Sequence, residues 1–301
     1  GGDKNDTLIG GTGNDTLNGG NGDDTYIYNL GDGVDTITET NGNDTIKFGE
    51  GINKDDLIVQ RVNSNGEINT TSNLTDIKIS FKSSPNDSVI LKSVVDANVT
   101  NSSNAIENFE FKNGDKLSFD DIKKLSLIGL DENDTIIGYN DMGGIIKGGK
   151  GNDTLNGGNK DEVYRYNLGD GDDIITEQGG NNIIEFGDGI SKDDISVRRY
   201  NNGLKILIHN KNNQGSITIT NDISKAVVNI IPISEIKFAN GETLSFEEIR
   251  KLALIGSDNA DTTSGYIDMD NFIDAKAGND TIYGGDKNDT LIGGTGNDTL
   301  N

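Results

Sequence analysis

Asp recurs every nine residues in this chain, inside the frame G-G-x-G-x-D-x-U-x, where U is a large apolar residue. The first residues read GGDKNDTLI (1–9), GGTGNDTLN (10–18) and GGNGDDTYI (19–27). The register continues as LGDGVDTIT (30–38) and ETNGNDTIK (39–47), and returns at 129–185 and 256–301. Sixteen frames can be counted, two of them with one extra residue. A repeat this short cannot bury a core alone, so neighbouring repeats must stack.

Each residue type in the frame has a physical task. Gly at positions one, two and four allows positive φ and close backbone approach, so a tight turn can aim carbonyl oxygens inward. The x-U-x tail is a three-residue strand with one side chain pointing in. Two frames make one coil, so every second turn stacks on the same edge. The sixth position is Asp in thirteen frames: Asp6, Asp15, Asp24, Asp35, Asp44, Asp134, Asp153, Asp173, Asp261, Asp270, Asp280, Asp289 and Asp298. Gly143, Glu162 and Asn182 are the exceptions. Stacking brings carboxylates together in the pairs Asp6–Asp24, Asp15–Asp35, Asp24–Asp44, Asp134–Asp153, Asp153–Asp173, Asp261–Asp280, Asp270–Asp289 and Asp280–Asp298. Facing carboxylates and carbonyls from two turns are the hard oxygen donors that calcium takes, six to eight at a time.

The charge agrees with a store of cation ligands. Asp and Glu number 50 against 26 Lys and Arg, a formal net charge of -24. Such a surface opposes binding to nucleic acid phosphates. There is no cysteine, so disulfides have no part in the fold. No apolar run is long enough to span a membrane. The chain opens in mid-repeat without Met, and residues 284–301 repeat residues 1–18 identically, an offset of 283. This predicts a fragment of a longer tandem array, with a sequence like GGNGDDTYIYNLGDG following residue 301.

The frames resemble the RTX (repeats-in-toxin) calcium-binding repeat. The resemblance covers about half the chain and implies a parallel β-roll with calcium between adjacent turns. It also implies that carbonyls of positions one and three face one ion, and those of two and four the next. On that basis Gly11, Gly13, Gly19, Gly20, Asn21, Gly22, Gly149 and Gly151 join the aspartates as metal ligands.

Two inserts interrupt the array, and they are homologous to each other. Residues 25–62 (TYIYNLGDGVDTITETNGNDTIKFGEGINKDDLIVQRV) parallel 163–200, and 109–129 parallel 236–256. The layout is similar to the haemolysin-type calcium-binding related domain that accompanies such repeats. The expected fold is all-β: calcium-binding parallel β-roll blocks at 1–47, 129–185 and 256–301, interrupted by two small mostly-β inserts at 48–128 and 186–255, each ending in a short helix.

Alternation predicts strands at Leu57–Val62, Asp76–Phe81 and Val89–Val95, and at Ile195–Tyr200, Leu204–Ile208 and Ser216–Thr220. Asn113-Gly114 and Asn240-Gly241 predict type I′ hairpins. Ser118 with Asp121 and Ser245 with Glu248 predict capped helix starts, and Gly129 and Gly256 the C-caps. Tyr26, Tyr28, Tyr164 and Tyr166 are expected to cover the roll, where the phase slips by two residues, rather than to stack on sugar.

Catalysis is not expected. The one histidine, His209, lies in an alternating strand, and no HExxH occurs. The sequence therefore reads as a secreted or cell-surface segment of a large toxin, adhesin or bacteriocin-like protein. Its partners would be calcium ions and, by resemblance, a type I secretion machinery. Two alternatives stand beside it: the non-catalytic C-terminal module of a secreted protease, lipase or epimerase, and a module whose inserts bind a glycan or cell surface.

Overall fold

A computed structural model describes the chain except for residues 69–73, 97, 202, 211–212 and 221–232. It separates into two compact units: Gly1–Gly129 with Tyr139–Asp141, and Leu130–Gly138 with Met142–Asn301.

In the first unit, successive repeat tails alternate between two sheets. Strands Thr7–Ile9, Thr25–Tyr28 and Thr45–Phe48 pair in parallel in one sheet. Thr16–Asn18 and Val34–Thr38 do so in the other. The inserted sequence then continues both sheets. Asn108–Glu110 pairs in parallel with Thr45–Phe48, then antiparallel with Lys116–Ser118. Ser84–Leu91 pairs in parallel with Val34–Thr38 and begins an antiparallel run through Asp76–Phe81 to Leu57–Val62.

The repeat strands pair in parallel as expected, but the inserts continue the same sheets in antiparallel, so the sheets are mixed rather than a simple parallel β-roll. The reason is loop length. Repeat strands are joined by coils that always re-enter in the same direction, whereas the inserts contain short hairpins, which reverse it. The second unit repeats the plan. Thr135–Ile137, Thr154–Asn156, Asp172–Thr176 and Asn213–Ile219 run parallel, then antiparallel through Gly203–Asn210 to Ile195–Tyr200. Parallel pairing returns in Thr262–Ser264, Thr281–Tyr283 and Thr299–Leu300, and in Phe272–Asp274 with Thr290–Ile292.

The eighth-position side chains build the core. Tyr26, Ile37, Ile46, Leu155, Tyr164, Ile175, Ile184 and Ile282 are buried between the sheets. Tyr28 stacks on Phe81 across the first unit, with ring centres 5.4 Å apart. All four tyrosines of the phase slips are buried. The hydroxyl of Tyr28 donates to the Gly33 carbonyl at 2.5 Å, and that of Tyr166 to Gly171 at 2.6 Å.

Two frames depart from the expected phase. Ile146 and Ile273 point inward, while Ile145 and Phe272 are exposed. The extra residue of these ten-residue frames therefore lies before the sixth position rather than after the strand, and moves Gly144 and Asn271 into that position. The space is taken by an enlarged turn carrying Tyr139 or Tyr266, both fully buried.

The short helices Phe119–Leu125 and Phe246–Leu252 both start with the expected capping boxes. They end earlier than expected, at Ser126 and Ala253. Gly256 instead packs against the Ala275 backbone, where a Cβ would collide. The Asn-Gly turns are not type I′ either. Gly114 and Gly241 have positive φ, but Asn113 and Asn240 do not. Each Asn side chain instead accepts a backbone N–H two residues on, which favours negative φ at Asn and left-handed Gly.

Each helix carries a buried cation onto the tyrosine of an enlarged turn. Arg250 lies over Tyr266 and pairs with Asp268, and Arg199 of the strand Ile195–Tyr200 covers the same ring at 4.6 Å. Lys123 and Arg61 take the corresponding places over Tyr139, each at 5.1 Å, and Lys123 pairs with Asp141 at 2.9 Å.

Candidate metal centre

Stacked sixth positions are joined by a ladder of backbone-to-carboxylate hydrogen bonds. The Asp6 N–H donates to Asp24 Oδ1 at 2.7 Å, and the Asp24 N–H to Asp44 Oδ1 at 2.8 Å. Glu107 from the insert ends this run by accepting from the Asp44 N–H at 2.7 Å. On the other edge Asp15 donates to Asp35 at 3.0 Å. The second unit has Asp134 to Asp153, Asp153 to Asp173, Asp261 to Asp280 and Asp280 to Asp298.

One expected pair is replaced. Asn271, not Asp270, donates to Asp289 Oδ1 at 2.8 Å, because the enlarged turn shifts the frame by one. Asp270 is exposed and accepts from the Asn288 N–H.

Asp24, Asp35, Asp153 and Asp280 each accept a rung through one oxygen, and the other is buried without a hydrogen-bond partner. One oxygen of Asp15 and both oxygens of Glu162 are buried without a partner as well. All six residues hold the sixth position. A buried carboxylate oxygen without a donor costs several kcal/mol, roughly, unless a cation meets it. These oxygens are hard anionic donors held in pairs, which fits calcium.

The tightest cluster is Asp24, Glu39 and Asp44, all buried, with oxygens within 4.8 Å of one another. The Tyr26 hydroxyl donates to Glu39 Oε1. Gly19 forms the floor: a Cβ there would strike oxygens of Glu39, Asp24 and Tyr26 at once. Burial pushes the Asp44 carboxyl up to about 6 and raises that of Glu39. Loss of hydration likewise raises Asp153 to about 6 and Asp173 to about 8.

The turn residues are shared between two roles. Gly11, Gly13, Gly20, Gly22, Gly149 and Gly151 all have positive φ. The Asn21 N–H donates to the Gly2 carbonyl, and Gly19 O accepts from the Gly2 N–H. A carbonyl has two lone pairs, so these bonds leave an acceptor site on each oxygen.

Glu39, Glu107 and Glu177 were not among the sequence-derived ligands. Glu39 and Glu177 open the frames ETNGNDTIK and EQGGNNIIE, at the first position, where Gly is the rule. The same departure at the same place in both copies was the available signal.

Comparison with known proteins agrees with the repeat. A family model described as the RTX calcium-binding nonapeptide repeat (4 copies) matches residues 1–35, 143–161 and 268–300. These stretches carry RTX calcium-binding repeats. No curated protein matches the chain. Among solved structures, the extracellular lipase LipA from Serratia marcescens is similar at 15% identity with a TM-score of 0.27. That match covers 72% of this chain and 36% of the lipase.

Proposed function

We propose that this chain is a non-catalytic calcium-binding structural segment of a secreted RTX protein, and that calcium completes its folding. The observation that carries the reading is the set of buried, unpartnered carboxylate oxygens at the sixth position: Asp15, Asp24, Asp35, Asp153, Glu162 and Asp280. Without metal, these charges oppose burial, and three-residue strands cannot offset chain entropy. With metal, each ion joins two coils and cancels their repulsion. Extracellular calcium modules bind with Kd of roughly 10⁻⁴–10⁻³ M. At ten times Kd, each site adds about 1.4 kcal/mol.

The low calcium level inside a cell would keep the chain open for export by a type I machinery, and folding would follow outside. The parent is a toxin, an adhesin or bacteriocin-like protein, or a secreted enzyme whose catalytic domain lies elsewhere; the same mechanism serves each. Binding of a glycan by the inserts is the competing role, and a glycan array on the calcium-loaded chain separates it from a scaffold.

The test is circular dichroism in EDTA and then in millimolar calcium. The expected result is a gain of β structure on adding calcium, with magnesium substituting poorly because it demands stricter octahedral geometry. A spectrum already rich in β and unchanged by calcium would refute the reading.

A further inference from the structure

The second copy of the acidic cluster lies where the repeat has lost its aspartates. Its sixth positions are Glu162 and Asn182, a substitution that by sequence alone weakens a metal site. The ladder nevertheless persists, since the Glu162 N–H donates to Asn182 Oδ1 at 2.9 Å. An amide oxygen serves the ladder as well as a carboxylate, so this hydrogen bond does not need the charge.

The Glu162 carboxylate is therefore not held by the ladder. It is buried, and neither oxygen has a hydrogen-bond partner. The Gly158 N–H faces it and favours its charged form, outside hydrogen-bonding geometry. No ion pair among the described residues involves Glu162. Glu177 and Tyr164 both feel its charge. Glu177 is buried too and accepts from the Tyr164 hydroxyl. Gly157 is the floor, where a Cβ would strike both Glu177 oxygens and the Tyr164 hydroxyl.

The arrangement matches the first cluster residue by residue. Tyr164 and Glu177 are 13 residues apart, as are Tyr26 and Glu39. Gly157 answers Gly19. Asn182 stands in place of Asp44, and Glu162 in place of Asp24. Three carboxylates have become two.

The geometry points to a cation site held by Glu162 and Glu177, with Tyr164 positioning Glu177, that takes one calcium-class divalent ion. Two carboxylates neutralise one such ion. This inference rests on the calcium-binding reading of the repeat, but its ligands are glutamates at a sixth and a first position rather than paired sixth-position aspartates.

The experiment counts calcium ions bound by the full chain by equilibrium dialysis, comparing the parent with Glu162→Gln and Glu177→Gln. Each variant should bind one ion fewer than the parent. An unchanged count in both variants overturns the site while leaving the repeat reading intact; a parent that binds no calcium overturns both. A second measurement does not depend on the Gln variants folding. Terbium emission sensitised by tyrosine should fall in Tyr164→Phe, which keeps the ring packing. Emission equal to the parent's overturns the site.

Discussion

The guanidinium of Arg250 lies 4.0 Å from the centre of the Tyr266 ring, with both groups buried. Arg250 also pairs with Asp268, so one side chain of the insert helix holds the enlarged turn of the repeat that follows it. Replacing it with Met should cost about 3 kcal/mol, because it breaks a buried ion pair with Asp268 and removes a desolvated cation–π contact. Arg250→Lys should cost less, since Lys123 does the same task in the first unit at 5.1 Å from Tyr139. Denaturant melts of the calcium-loaded chain give the order; equal losses for Met and Lys would show that packing alone matters.

Acid should stabilise the metal-free form. Burial raises Asp44 and Asp153 to about 6, Glu162 to about 7, and Asp173 and Glu177 to about 8. The folded state then binds more protons than the unfolded state between the ordinary carboxyl range and about pH 8. Its stability falls as pH rises through that window, and is recovered on acidification. In EDTA, the β content read by circular dichroism should rise from about pH 8 to about pH 5. Saturating calcium should remove or reverse the slope, because the ion favours the charged carboxylates. A metal-free spectrum independent of pH would contradict the assignment.

Gly19→Ala should disable the first acidic cluster. The new methyl would occupy the point where oxygens of Glu39, Asp24 and Tyr26 converge. Gly11→Ala is the comparison, since it has open space and only its φ of +83° to object. A strained φ costs about 1–2 kcal/mol, whereas Gly19→Ala should also reduce the number of calcium ions bound. Equal calcium counts in the two variants would argue against a site above Gly19.

Asp153 separates the ladder from the charge. Asp153→Ala removes the acceptor of the Asp134 N–H and should cost about 1–3 kcal/mol beyond any lost metal contact. Asp153→Asn keeps an acceptor oxygen, as Asn182 already does in this chain. It should therefore lose less stability than Asp153→Ala, yet gain less from calcium than the parent. Chemical denaturation of both variants, at limiting and at saturating calcium, reads the difference. Equal calcium gains in Asp153→Asn and the parent would exclude Asp153 as a ligand.

Much of this was legible because the repeat fixes both strand phase and turn position. Leu57–Val62, Asp76–Phe81 and Ile195–Tyr200 form strands where alternation places them. Both capping boxes follow from three-residue spacings, which are local. What the sequence hid is non-local. The strand Ser84–Leu91 begins before its apolar run because Ser84 pairs with Phe81 of the preceding insert strand and Ser88 with Val34 of the repeat. The frame shift at Asn271 could not be read from spacing, since Asp270 satisfies the pattern equally well and only the buried Tyr266 decides between them. Glu39 becomes part of a cluster through stacking over Gly19, a relation between coils that no single frame displays.

The ladder also gives the array a polarity. Every rung runs from an N–H to a side-chain oxygen further along the chain: Asp6 to Asp24, Asp24 to Asp44, Asp44 to Glu107. A coil array interrupted between any two coils thus shows two unlike surfaces. One presents amides awaiting acceptors, the other carboxylates awaiting donors. Like surfaces cannot satisfy each other and opposite ones can, so coils of this kind join head to tail and never head to head.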